Sequence, residues 1–154
     1  ANHGSVSNTG GIMKVFPRVL VFLMFFPVMP QLAAAPRIVT AAQVNGTWRT
    51  PTNEFKVLAL GKQKLRVEFD GTYEYRVNGE WMANTGTGAG IAVIAGDTAT
   101  FRPEGVEMDC AITMRFTAGA LIVTQEGGCG FGHHVTASGT YRKVSDRRPT
   151  FSGD

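Results

Sequence analysis

The densest chemistry in the sequence lies in Cys129-Gly-Phe-Gly-His-His134, where a cysteine, two glycines, an aromatic ring and two adjacent imidazoles follow one another. Imidazoles ligate metals and titrate near neutral pH. Neighbouring side chains of a strand point to opposite faces, however, so His133 and His134 would not converge on one ion. No third ligand stands nearby in sequence, and the expectation is two solvated loop histidines, no metal and no cofactor. Gly130 and Gly132 are expected to allow positive φ after the cysteine rather than the close approach of a ligand. Thr85-Gly-Thr-Gly-Ala-Gly90 has the glycine spacing of a phosphate loop but neither the helix nor the lysine that such a loop requires. Glu68, Asp70 and Glu74 alternate with core-type residues and with Arg66 and Arg76, which reads as a solvated face. A glycosidase would need two carboxylates in a cleft with one pKa raised. Ser138 and Ser145 lie near the histidines but carry no nucleophile-elbow pattern. No catalytic residue is assigned, and the expectation is a protein that is not an enzyme.

The two cysteines find a structural explanation. Cys110 to Phe116 alternates, with Cys110, Ile112, Met114 and Phe116 on one face and Thr113 and Arg115 on the other, the period-two mark of a half-buried strand. Thr117-Ala-Gly-Ala120 is a turn, and Leu121 to Gln125 alternates again. Folded about Gly119/Ala120, the hairpin sets Cys110 opposite Cys129, which predicts a mostly buried disulfide. Closing a loop of about 20 residues stabilises by ~3 kcal/mol in the chain-entropy model.

These elements sit behind a leader. Residues 1–12 are polar, glycine-rich and aperiodic, and read as an upstream extension or a cloning remnant ahead of a start at Met13. Residues 13–41 carry a signal-peptide pattern: Lys14 and Arg18, an apolar run from Val19 to Met29, and the small residues Ala33-Ala34-Ala35. Cleavage after Ala34 or after Ala41 fits. Pro17, Pro27 and Pro30 interrupt the apolar run, which is shorter than the ~20 residues a membrane span needs, so membrane contact is expected only through the uncleaved leader. Export to the periplasm or the medium agrees with an even cysteine count. Three of the fifteen basic residues (Lys14, Arg18, Arg37) and no acid precede Gln43, leaving twelve of each sign. A near-neutral domain argues against a nucleic-acid partner.

From residue 43 to 145 the chain reads as one all-β domain, with residues 146–154 as a loose polar tail. Eight candidate strands follow one another: Gly46–Thr50, Phe55–Leu60, Lys64–Tyr75, Ala83–Ile94, Thr98–Arg102, the two strands of the cysteine hairpin, and Ala137–Val144. Asn78-Gly79 and Gly96-Asp97 mark turns between them. Short antiparallel strands with tight turns predict a closed up-and-down barrel, with a β-sandwich as the alternative. Closure would bring Gly46-Thr-Trp48 beside Gly139-Thr-Tyr141. The set Trp48, Phe69, Tyr73, Tyr75, Phe101, Phe116 and Tyr141 is expected to point largely inward, either as plain core or, for Trp48, Tyr73, Tyr75, Phe101 and Tyr141, as the lining of a ligand cavity.

The barrel pattern and the opening Gly-X-Trp strand resemble the small lipocalin- and avidin-like barrels. The segments FKVLALG, LRVEFDGTYEY, MANTGTG, GDTATFRPEG, CAITMRF, LIVTQEG, CGFG and HVTASGTYRKVS are similar to a family of small exported bacterial proteins of unassigned function. The ending from the cysteine through CGFG to GTYRK is also similar to C-terminal domains of lysozyme-inhibitor-like proteins, whose helical domain this sequence lacks. The resemblance implies an exported β domain and points toward inhibition, with no catalytic residue to transfer.

Two functions follow as expectations. One is a non-enzymatic binding module of the cell envelope, acting on an envelope protein, with inhibition of a wall-degrading enzyme as the specific form the resemblance implies. The other is a lipocalin-like carrier of a small apolar ligand. For binding, the candidate residues are Trp81, Met82, Phe131, His133 and His134, because Trp81 follows the Asn78-Gly79 turn where the strand pattern lapses. Trp81 is either exposed beside Met82 or tucked under its own hairpin as a plug. The sequence sets no oligomeric state. The leader makes a direct prediction: protein recovered from the periplasm has an intact mass that excludes Met13 to Leu32, and a mass that includes them would refute the signal peptide.

Overall fold

Alternating apolar residues become strands whose inward faces meet. The computed structural model describes residues 1–5, 10–11, 37–106 and 109–154. The chain divides into two units, Ala1–Ala33 and Ala34–Asp154. In the first, the described residues carry no regular structure. The apolar run and the Ala33–Ala35 site of the expected signal peptide lie outside the described residues.

The second unit is a closed antiparallel barrel in which each strand pairs with the next and the last with the first. The strands are β1 (Gly46–Arg49), β2 (Asn53–Gly61), β3 (Lys64–Val77), β4 (Glu80–Ala95), β5 (Thr98–Phe101), β6 (Cys110–Phe116), β7 (Ala120–Gly127) and β8 (Gly139–Ser145). The expected barrel and its eight strands are thus present, and the sandwich is not. β1 lies beside β8, with Trp48 opposite Lys143, so the Gly-Thr-Trp and Gly-Thr-Tyr segments are neighbours as closure requires. One turn of helix, α1 (Ala41–Val44), precedes β1. Its sequence signal is Thr40-X-X-Gln43, in which the Thr40 N–H donates to Gln43 Oε1 at 2.8 Å. A single turn has no 3.6-residue period to read, which is why the pattern passes it over.

The interior is filled with side chains. Trp48, Phe55, Phe69, Phe101, Phe116 and Tyr141 are all fully buried beside Leu65, Ile112, Met114 and Leu121. Phe55 packs on Phe69 and on Tyr141 with ring centroids 5.0 Å apart in both pairs. Eight strands leave room for little beyond such side chains. Of the residues expected to line a cavity, Trp48, Phe101 and Tyr141 belong to this core. Tyr73 and Tyr75 do not: β3 pairs with β2 only as far as Gly71, so both tyrosines lie beyond the barrel rim.

Each end of the barrel is closed. At one, Val44 of α1 is buried and its carbonyl accepts from Trp48 Nε1 at 3.0 Å. At the other sits the segment that follows β7. Cys110 and Cys129 form the expected disulfide, both nearly fully buried, with Cα atoms 4.9 Å apart. The hairpin register differs from expectation. Cys110 faces Gly127, not Cys129, because the hairpin turns about Ala118/Gly119. Gly127 and Gly130 then take φ of 71° and 70°, left-handed values that curl the chain back so that Cys129 still reaches its partner. That curl carries Phe131 inward. Phe131, expected among the exposed binding residues, is 3% exposed and packs 4.5 Å from Phe69. It rests on the glycines of β4. A Cβ on Gly86 would fall 1.7 Å from the Phe131 carbonyl oxygen, and one on Gly88 2.7 Å from its ring. The glycine-rich strand therefore makes room for a plug.

The tail, expected to be loose, folds onto the outside of β3. Phe151 is buried, and the Arg66 guanidinium lies 4.2 Å from its ring centroid. Arg66 also bonds Asp154, and the Ser152 N–H donates to Glu68 Oε2 at 2.7 Å. An aromatic ring among the last residues was the sequence signal for this docking. Burial opposes ionisation of Glu68, but hydrogen bonds from Lys56 and Ser152 outweigh it and hold the carboxyl below its usual range.

A polar cluster ties the plugged end together. Tyr141 Oη donates to the Ala137 carbonyl at 2.7 Å, and Asn53 Nδ2 donates to Tyr141 Oη at 3.2 Å and to the Thr136 carbonyl at 2.8 Å. Burial pushes the Tyr141 phenol up to about 12, with the Asn53 bond acting in the opposite direction. A phenol whose folded pKa is raised contributes stability that is fully present below the unfolded pKa of about 10 and is lost as pH climbs through the folded value. Urea unfolding across that window should show stability falling by on the order of 2 kcal/mol, with the Tyr141→Phe variant lacking this component. Identical alkaline slopes in the two proteins would contradict the buried phenol.

Candidate functional site

Past Gly71, β3 and β4 run on as a two-stranded arm to the Asn78-Gly79 turn, pairing Tyr73 with Asn84, Tyr75 with Met82, Arg76 with Trp81 and Val77 with Glu80. Asn78 and Gly79 take φ of 51° and 88°, the left-handed pair of a tight hairpin turn. Side chains alternate across the arm. One face continues the inner face of the barrel and carries Tyr73, Tyr75, Val77, Met82 and Asn84. The other carries Glu74, Arg76, Trp81 and Ala83.

The first face meets the end of the plug. The Asn84 side-chain amide donates to the His133 carbonyl at 2.9 Å, fixing the loop against the arm. His134 takes φ of 65°, a strained conformation outside the strand region, and packs 5.0 Å from Tyr73. The two imidazoles stand edge to face with centroids 3.9 Å apart. The expectation that they point apart assumed a strand; they occupy a turn, and the turn brings them together. Tyr73 and Tyr75 stack at 6.0 Å with planes 21° apart. Tyr73, Tyr75, Asn84, His133 and His134 line an open groove of about 450 Å³. Among the described residues, no group of three or more His, Cys, Asp or Glu side chains gathers to hold a metal. The groove offers flat aromatic faces and imidazole and phenol hydrogen-bonding atoms.

On the opposite face Trp81 is exposed, at 64%, and the Arg76 guanidinium lies 4.2 Å from its ring centroid. Trp81 therefore does not tuck under its hairpin. Met82 is exposed as well. The structure thus brings His133, His134, Tyr73 and Tyr75 together, sets Trp81 and Met82 near the arm's tip, and removes Phe131, Trp48, Phe101 and Tyr141 from any exposed site.

Asn84 and Arg76 were not singled out from sequence. Counting outward from Asn78-Gly79 pairs Arg76 with Trp81 and Tyr73 with Asn84, so the turn itself held the signal. It was obscured because the arm is exposed on both faces and so lacks the apolar alternation that marks a half-buried strand. Compared with known proteins, the chain matches no protein-family model, no curated protein and no solved structure.

Proposed function

We propose that the protein is an exported, non-enzymatic binding module of the cell envelope that engages a partner protein through the projecting β3–β4 arm. One observation carries this reading: the large side chains left uncovered along the arm, Trp81, Met82 and Val77 near its tip and Tyr73 toward its base, stand beyond a barrel whose interior is filled. Trp, Tyr, Met and Arg are the types enriched at interface centres, and Trp81 stacked with Arg76 supplies two of them in one contact. A carrier of small apolar ligands would need an open interior, and Trp48, Phe101 and Tyr141 occupy that space. The Cys110–Cys129 disulfide is consistent with an oxidising, extracellular or periplasmic location. Inhibition of a wall-degrading enzyme is the specific role toward which the resemblance of the chain's ending points.

Affinity capture from a periplasmic extract, with the folded domain as bait, tests the reading. The partner recovered by the wild type should bind Trp81→Ala more weakly by about 2 kcal/mol, with circular dichroism and thermal unfolding unchanged because the ring is not part of the core. Equal binding by the variant would remove Trp81 from the contact. An altered melting curve would show that it supports the fold.

A further inference from the structure

Beyond Gly71, among the described residues, β3 has β4 on one side and no strand on the other. The Thr72 N–H still donates to the Thr52 carbonyl at 3.0 Å, and this bond sets the phase of the outer edge. Even-numbered residues of β3 turn their N–H and C=O groups outward, while odd-numbered ones bond to β4. Glu74 and Arg76 therefore present two N–H and two C=O groups that find no backbone partner among the described residues. The free edge is short and bounded. It runs from Tyr73 to Val77, between the Thr52 contact and the Asn78-Gly79 turn. Its apolar side chains are uncovered, with Tyr73 39% and Val77 46% exposed. An unpaired edge of this kind is a template for another strand.

We propose that this edge pairs with the same edge of a second copy of the chain, antiparallel, about a two-fold axis at Tyr75. The charge pattern and the hydrogen-bonding phase select that register together. With the axis at Tyr75, Glu74 lies opposite the partner's Arg76 and Arg76 opposite the partner's Glu74. Both are hydrogen-bonded pairs, so all four outward groups on each copy are used. An axis on Glu74 or on Arg76 sets like charges face to face. An axis on Tyr73 requires the Thr72 N–H, which already bonds Thr52. An axis on Val77 requires Asn78, whose backbone has left the strand at φ 51°. On the other face, Tyr75 meets the partner's Tyr75 in the closer, non-hydrogen-bonded spacing, and Tyr73 meets the partner's Val77. The β4 edge offers no such match, since its outward groups belong to Trp81 and Ala83, which carry no charge. Two arms joined this way form a four-stranded sheet that is isologous, as a two-fold contact must be. The pairing shares Tyr73, Arg76 and Val77 with the binding reading above but does not rest on it, since it is argued from the β3 backbone edge and leaves Trp81 and Met82 on the other strand.

Sedimentation equilibrium of the oxidised, exported protein at low salt tests the proposal. The wild type should associate to a dimer, and Glu74→Arg and Arg76→Glu should each shift the equilibrium toward monomer by about tenfold or more. Mixing the two variants in equal amounts should restore a dimer, because each then faces only opposite charges. That recovery also shows that both variants are folded. A wild type that stays monomeric up to roughly millimolar concentration would overturn the proposal, whether or not another protein's strand then adds to the edge. Single variants that dimerise as the wild type does, or a mixture that stays monomeric while the wild type dimerises, would overturn it equally.

Discussion

Phe131 lying on a strand stripped of side chains is the contact on which the arrangement of this barrel turns. Its ring meets Phe69 at 4.5 Å, and its backbone passes so close to Gly86 that no other residue fits there without moving the loop. Burying a phenylalanine contributes about 1.5–3 kcal/mol, but the larger effect is positional. With Phe131 seated, Cys129 lies within bonding reach of Cys110, Asn84 reaches the His133 carbonyl, and the imidazoles are held against Tyr73. Core, disulfide and groove all meet at one close approach between a loop and two glycines spaced two apart on β4, Gly86 and Gly88.

A filled interior determines where chemistry is left to happen. The inward positions are taken by aromatic and branched side chains, and both ends are closed, by α1 with Trp48 and by the Cys129–Val135 loop. What remains uncommitted is the arm, which among the described residues meets only the His133–His134 turn at its base and is uncovered toward its tip. Its two faces differ: tyrosines and imidazoles on one, a charged and indole surface on the other. A two-stranded ribbon is marginal by itself, and the contacts of Asn84 and Tyr73 with the His133–His134 turn anchor its base.

The elements that alternate cleanly in sequence are the ones that form barrel staves. Cys110 to Phe116 buries every second residue as its spelling implies. Closure through Gly46-Thr-Trp48 and Gly139-Thr-Tyr141 was legible for the same reason. The departures share a cause: each depends on a contact distant in sequence. Phe131 looks like a loop aromatic until the glycines of β4 are placed beneath it. Phe151 looks like tail until Arg66 is found under it. The disulfide was anticipated but the hairpin register was not, because three glycines and a left-handed histidine after β7 permit a path that strand counting cannot follow. At the candidate site Trp81, Met82, His133 and His134 were visible, while Asn84, Arg76 and the grouping required the turn at Asn78-Gly79 to be extended into a full arm.

The account rests most heavily on the fit between Gly86 and the Phe131 backbone, and hydrogen exchange on Gly86→Ala probes that fit directly. Overpacking of this kind costs about 1–3 kcal/mol. The loop carries no ladder of strand hydrogen bonds, so it should yield before the paired strands. The prediction is that amides of residues 130–135 lose protection by about tenfold or more while those of β6 and β7 stay slow. Protection in the loop equal to that of the wild type, at unchanged stability, would contradict the claim that the glycine strand exists to seat the plug.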